Sequence, residues 1–274
     1  MGPGLTWLAV FLVVPCGLVF TYSFFERGLY GGIDYLFTFE NYTRAIDPLY
    51  LKIFLQSLKI ATMTTVLALL LGYPAAYFIA RAPRSRQNIY LILAILPFWS
   101  NYLIRTYAWI VMLNREGLIN RVLEGAGMID EPLPLLYNEF SIIVGLLYAY
   151  LPFMILSLYA SIARLGSELG EASTDLGGNA LKTFLGVTLP LTLPGIGAGC
   201  VFVFVLSIGN FITPELLGGG KYIMIGNLIY DQFLSARDWP FGASLAFILI
   251  GIMMALLFMQ AMLVNRYSGG SNRA

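Results

Sequence analysis

Six stretches of this chain are apolar and long enough to cross about 30 Å of hydrocarbon, a distance that takes about 20 helical residues. They run roughly over 5–25, 54–80, 89–113, 138–160, 187–213 and 241–265. A soluble fold could not cover that much apolar surface: mean hydropathy is +0.77, and only 11% of the 274 residues are charged. Inside hydrocarbon each spanning segment must satisfy its own backbone N–H and C=O groups. The expected fold class is therefore an all-α polytopic membrane protein with about six transmembrane helices, forming one domain over 1–274. An even number of crossings returns both termini to one side. The first run lacks a basic leader and a small-x-small cleavage site, so it is read as a transmembrane helix and not as a signal peptide.

Between the fourth and fifth runs lies a polar island, with SELGEASTDLGGNALKTFLGVTLPLTLP following Ile162-Ala163-Arg164-Leu165-Gly166. Glu168, Glu171 and Asp175 stand at i, i+3 and i+7, so on a helix they share a face and could meet a basic partner together. Ser167 is the expected N-cap, Glu168 lies in the first turn where the helix dipole favours an acid, and Gly177-Gly178 stops the helix after about 15 Å. Pro190 and Pro194 follow near the start of the next run, where proline is tolerated or bends the helix. The island, about 161–186, reads as a docking peg held at a fixed angle to the membrane.

Charge assigns the sides. The 81–88 turn, the peg and the tail from 266 carry seven Lys/Arg and three acids, with Arg81, Arg84 and Arg86 in one short turn. The longer loops on the other side, counting Glu139 at a span edge, carry seven Lys/Arg against twelve acids. The positive-inside rule then puts the peg and both termini in the cytoplasm. Cys16 and Cys200 fall inside apolar runs and behave as small hydrophobes, and the chain has no histidine. Neither a disulfide nor a metal site is expected. No nucleophile–base constellation points to an enzyme. Gly218-Gly219-Gly220-Lys221 is not a phosphate loop, because Tyr222 stands where Ser or Thr is needed and the G-x(4)-G-K spacing is absent. This chain is expected to hold no cofactor.

Polar groups within the runs are the candidates for a transport path. In LPFWSNYLIRTYAW, Trp99, Tyr102 and Arg105 are three residues apart and Trp109 four further, which on one continuous helix makes a stripe. Such a stripe suits an organic cation moving past aromatic faces; helix packing, with Arg105 satisfied by a neighbouring subunit, is the alternative. Asn210 lies in the outer half of the fifth run and Glu215 just past Pro214. Gly195 and Gly199 form a small-residue face for close helix approach. Lys59 is expected to snorkel to the outer interface, Pro48 to separate an outer loop from the second span, and Ile223–Leu234 to form a short helix lying on or dipping into the outer surface. Pro152 either bends the fourth span or merely relieves packing.

The peg resembles the cytoplasmic loop of permease subunits of ATP-binding-cassette importers, which has the form E-A-A-x(3)-G-x(9)-I-x-L-P. Glu171, Ala172, Ser173, Gly177, Val187, Leu189 and Pro190 fall on that spacing without a gap, with Ser173 replacing an alanine and Val187 an isoleucine. The resemblance implies a type I importer permease fold and a coupling helix, carrying Glu168, Glu171, Ala172, Asp175 and Gly177, that inserts into a groove on a separate ATPase subunit. ATP would be bound there and not on this chain. Beyond the peg, TFENYTRAIDPLY, LALLLGYPAAYFIA, LPFWSNYLIRTYAW and LLGGGKYIMIGNLIYDQFLSARDWPFGAS resemble the permeases of spermidine/putrescine importers.

That resemblance implies a second permease chain, two ATPase subunits, an extracytoplasmic substrate-binding protein and a polyamine cargo at the cell inner membrane, with lipid around the bundle and no nucleic acid. Trp99, Tyr102, Asn210 and Glu215 are the substrate-path candidates. The acid-rich outer loops suit a polycation, although they are equally the complement of the positive-inside bias. A permease of the same mechanism for another small solute, such as an amino-acid derivative, an opine or a metal chelate, is the alternative. A secondary transporter would need in-membrane acids that are not apparent. The purified chain alone should show no saturable binding of ATP in an equilibrium assay; measurable binding would contradict the assignment of nucleotide to another subunit.

Overall fold

The computed structural model describes residues 4, 6, 7 and 9–269, and within these the side chains other than those of Ser167, Gly170, Glu171 and 263–269. The helices, in chain order, are α1 (Val14–Tyr22, continuing a wide turn at Ala9–Val13), α2 (Glu40–Ala45), α3 (Pro48–Arg81), α4 (Arg84–Ile95), α5 (Tyr102–Leu113), α6 (Leu118–Gly125), α7 (Glu139–Ile162), α8 (Ser167–Asp175), α9 (Ala180–Thr183), α10 (Leu189–Ile208), α11 (Ile212–Gly218), α12 (Ile225–Leu234) and α13 (Trp239–Gly269). Among the described residues, four uninterrupted helical runs are long and apolar enough to cross a membrane: Pro48–Arg81, Glu139–Ile162, Ala180–Ile208 and Trp239–Met262. The run expected over 89–113 is instead a broken pair, Arg84–Trp99 and Tyr102–Gly125, bent by 86°. The described helix Ala9–Tyr22 is shorter than a full span.

Aspartate or asparagine caps the start of α3, α5, α7, α9 and α13. Asp47 accepts from the Leu49 N–H at 2.9 Å, so Pro48 opens the second span and does not fence it off; proline suits a first-turn position because its missing N–H would have had no helical partner. Asn138 and Ser141 cap α7 reciprocally, and the Ser141 hydroxyl also donates to the Leu217 carbonyl at 2.8 Å. Asp238, buried before Trp239, accepts from the Phe241 N–H at 3.2 Å and pairs with Arg44 at 2.8 Å. Partial burial pulls the Arg44 pKa down, but hydrogen bonds to Tyr50 and Asp238 outweigh it and hold the guanidinium above its ordinary value. Lys59 of α3 also pairs, with Glu139 at the start of α7, at 2.7 Å.

The core is the trio α3, α7 and α10. Ala68, Tyr73, Ala76, Met154, Leu158 and Val203 fill its inner half, and the Tyr73 hydroxyl shares a hydrogen bond with Thr192 at 3.0 Å. Small residues set the spacing, as expected where no hydrophobic effect drives helices together in lipid. A Cβ on Gly195 would lie 2.3 Å from Cβ of Ser161, and one on Gly199 2.7 Å from Sδ of Met154. Pro152 sits buried inside an α7 that runs on past it. Pro190 follows a π turn, Phe184–Thr188, whose widened hydrogen bonding accommodates a residue with no N–H to give.

A small antiparallel hairpin, β1 (Phe25–Arg27) and β2 (Ile33–Phe37), replaces the glycine loop expected after α1. The short helix expected over Ile223–Leu234 forms as α12 and dips into the bundle: Met224–Leu228 are buried, and the Ile225 N–H donates to Ser57 Oγ at 2.8 Å. Gly195→Val should lower the unfolding midpoint of the detergent-solubilised chain, by about 1–3 kcal/mol in stability, because the neighbouring helix cannot give way cheaply. Gly251→Ala, where nothing lies within 4 Å, is the neutral control; equal midpoints for the two variants would contradict this packing.

Candidate functional site

Two helix breaks face each other halfway down the bundle. At the first, α4 ends in a single 3-10 turn, Leu96–Trp99, Ser100 turns extended, and Asn101 starts α5 by accepting from the N–H groups of Leu103 (2.8 Å) and Ile104 (3.4 Å). The local cause is legible chemistry: Pro97 opens the short turn, the Ser100 hydroxyl folds back on the Pro97 carbonyl at 2.8 Å, and Asn101 is a strong cap. At the second, α10 ends at Gly209 and Asn210 Oδ1 accepts from the Thr213 N–H at 2.8 Å, directing the chain into α11. Helix α11 can approach α7 because Gly145 presents no side chain; a Cβ there would lie 2.4 Å from Leu217.

The two breaks are tied to each other and to α7. Asn210 Nδ2 donates to the hydroxyls of Tyr102 (2.7 Å) and Tyr150 (2.6 Å), and the Tyr102 hydroxyl also meets the Thr213 hydroxyl. Tyr150 is in the middle of Glu139–Ile162, which puts the network near mid-depth of the spans. Around it lie aromatic rings: Phe98 against Phe153 edge-on at 5.2 Å, Phe153 stacked with Phe202 at 6.3 Å, and Trp109 edge-on to Tyr148 at 5.6 Å. The guanidinium carbon of Arg105 lies 5.5, 5.7 and 5.8 Å from the ring centroids of Phe98, Tyr102 and Tyr148. Such a site offers hydroxyl and amide oxygens and π faces in a place where hydrocarbon would otherwise offer nothing. It contains no nucleophile–base pair, and among the described residues no cluster of metal-ligating groups occurs.

The expected path residues divide accordingly. Tyr102 and Asn210 are bonded directly, and Asn210 sits at the end of its helix, not within it. Trp99 is 79% exposed on the far side of the break, so it does not share a helix face with Tyr102 and Arg105; Phe98 takes its place beside Arg105. Glu215 is exposed in the first turn of α11, where its carboxylate accepts from Asn227 Nδ2 at 3.2 Å. Tyr148, Tyr150 and Thr213 were not singled out. The tyrosine pair on either side of Ala149, just before Pro152, was the available signal.

The peg is helical over Ser167–Asp175, with Gly166 and not Ser167 as the N-cap residue. Glu168, Ala172 and Asp175 are exposed on it, while the Glu171 side chain lies outside the described residues. Gly177 has φ +78°, a left-handed conformation that a side chain would resist, and Gly178 packs against the Ser173 carbonyl. Leu176, 90% exposed, and Leu181 leave an apolar edge next to the acids. A Ser173–Thr183 hydroxyl contact of 2.8 Å holds the peg to α9, which Asn179 caps.

Residues 68–269 match the family described as binding-protein-dependent transport system inner membrane component. The spermidine/putrescine transport system permease protein PotB of Escherichia coli (strain K12) is 41% identical over 263 residues, covering 95% of this chain and 96% of that protein. The protein of the same name from Haemophilus influenzae (strain ATCC 51907 / DSM 11121 / KW20 / Rd) is 40% identical over 253 residues, covering 92% and 88%. Among solved structures, a chain of a bacterial alginate ABC transporter in complex with alginate pentasaccharide-bound periplasmic protein superposes with TM-score 0.77 at 15% identity, over 96% of this chain and 92% of that one. A chain of the MetNI methionine ABC transporter in an inward-facing conformation gives 0.57 at 15% identity, over 77% and 93%. These two likenesses concern the fold, which is that of type I importer permeases. The chain belongs to the inner membrane components of binding-protein-dependent transport systems, and is a transport permease and not an enzyme.

Proposed function

We propose that this chain is one of two permease subunits of an ATP-driven polyamine importer, with its peg and both termini in the cytoplasm. Support for the cargo is the 41% identity, across 95% of the chain, to a protein named for spermidine/putrescine transport. The facing breaks at Ser100–Asn101 and Gly209–Asn210 carry the path. Irregular backbone at membrane depth is tolerated where it lines a cavity or is covered by protein, and in transporters such discontinuities mark where cargo passes. A polyamine has ammonium donors and apolar methylene spacers; tyrosine and asparagine oxygens suit the first and ring faces the second. Few carboxylates stand at this depth, so contacts here are weak enough for release, and the tighter charge recognition falls to the extracytoplasmic binding protein and the second permease.

Coupling needs no chemistry in this chain. Two separate ATPase subunits that close on ATP would draw the pegs together and bias a two-state bundle toward the outward-open form, which receives cargo from the binding protein; hydrolysis would reset it. Acids on one face of Ser167–Asp175, beside exposed Leu176, suit a groove with basic and apolar walls.

In vesicles containing the assembled transporter and its binding protein, ATP should drive uptake of labelled spermidine, with competition by putrescine but not by an amino-acid derivative or a metal chelate. Uptake of one of those solutes instead would overturn the cargo while leaving the importer intact. In the same vesicles Glu171→Ala removes a charge-assisted contact of about 1.5–3 kcal/mol, on the order of tenfold or more in docking. Gly177→Val strains the turn that ends the peg. Both should lower uptake and transport-linked ATP hydrolysis with the cargo preference unchanged, and normal coupling in both would reduce the peg to a connector.

A further inference from the structure

We infer that α12 braces the helix break at Gly209–Phe211, and that Asn227 is the residue that positions Asn210 in the polar network. Its role in transport rests on the reading that the two breaks carry cargo; Asn227 is then a positioning residue that acts through Asn210. Three contacts join α12 to the break. Asn227 Nδ2 donates to the Phe211 carbonyl at 2.7 Å. The Tyr230 ring stacks on the Phe211 ring, with centroids 4.6 Å apart and planes inclined by 13°. Gly226 lies directly against the backbone of the break: a Cβ there would stand 2.8 Å from the Asn210 carbonyl oxygen and 2.9 Å from that of Gly209. The brace is itself anchored, by the Ile225 N–H to Ser57 Oγ of α3 and by Phe233 edge-on to Trp239 at the start of α13. Asn210 is thus held from the side of α3 and α13, while the tyrosines it bonds belong to α5 and α7.

Asn227 does more than its own helix requires. Capping α12 uses its Oδ1 alone, which accepts from the Met224 N–H at 3.3 Å. Its amide nitrogen is directed outward, to the Phe211 carbonyl and to Glu215 Oε2 at 3.2 Å. The Phe211 carbonyl also accepts from the Glu215 N–H at 3.2 Å, so both of its lone pairs are engaged just where α10 has ended. Asn227 is 4% exposed, and water does not replace a partner that moves away. Gly226→Ala separates bracing from helix stability. Alanine is the better helix former, so a role confined to α12 predicts a neutral or stabilising change. A brace predicts a displaced Asn210, because the added methyl meets backbone carbonyls that cannot swing aside as a side-chain end could.

The test reads the network itself, without cargo. With Tyr150 replaced by 3-fluorotyrosine in the assembled transporter, the fluorine resonance reports the hydrogen bond from Asn210. Asn227→Ala and Gly226→Ala should each shift it toward its position in Asn210→Ala, while Gly251→Ala leaves it in place. Should Asn227→Ala fail to assemble, Gly226→Ala decides alone. Both variants should also lower spermidine uptake in vesicles, on the order of tenfold. A parental resonance in Gly226→Ala, or in both variants, would overturn the inference. A shifted resonance with normal uptake would uphold the brace and contradict the path through the breaks instead, so the two failures are told apart.

Discussion

Backbone hydrogen bonding in hydrocarbon is the constraint on which the rest of this structure depends. Water is absent there, so wherever a helix starts, stops or breaks, the chain must supply the missing partner itself. Short polar side chains supply such partners at helix starts along the chain: Asp47, Asn138, Asn179 and Asp238 at the ends of helices, and Asn101 at a break within the bundle, each accept from an N–H in the first turn of the helix that follows. At Gly209–Asn210 the same device works at membrane depth, where Asn210 Oδ1 accepts from Thr213 while its amide nitrogen reaches two tyrosines. The polar network at the centre of the bundle is therefore a structural necessity of the breaks before it is anything else. Its availability to a cation follows from that necessity, since the tyrosine hydroxyls that satisfy Asn210 keep lone pairs of their own.

Close approach is the second requirement. Gly145, Gly195 and Gly199 let α11 and α10 lie directly against α7, and this brings Asn210 within reach of Tyr150. Packing and the polar network are thus coupled: a side chain at Gly145 would push α11 away and take Thr213 with it. The two ends of the bundle differ in kind. One end is tied by Arg44–Asp238 and Lys59–Glu139, whereas the opposite end carries the peg, held by the Ser173–Thr183 contact and presenting acids and Leu176.

Much of this was legible from residues. Long apolar runs require helices, Gly177 was expected to end the peg and does so in the left-handed region, and the Gly195/Gly199 face is buried as a small-residue face should be. Hydropathy failed where backbone geometry decides. The run 89–113 averages as one span, but Pro97, Ser100 and Asn101 are each a terminator or a cap, and together they outweigh its apolar average and bend the chain by 86°. That bend separates Trp99 from Tyr102 and undoes a stripe that assumed one helix. Asn210 was visible as a polar group, yet its partners Tyr102 and Tyr150 lie 108 and 60 residues away, and no local pattern encodes such pairings. Pro48 was misassigned because a proline beside a span can begin a helix as readily as exclude one, and Asp47 before it decides the matter.

The central claim is that the two facing breaks line the route of the cargo, and solvent access at those breaks in the working transporter tests it most directly. Single cysteines at Asn101 and Asn210, with Cys16 and Cys200 replaced by serine, can be exposed to a membrane-impermeant thiol reagent from the side of the binding protein. Both should react faster when ATP holds the ATPases closed than in the nucleotide-free transporter, and saturating spermidine should slow the reaction. Silence at both positions in every nucleotide state, or labelling indifferent to cargo, would contradict a path through the breaks.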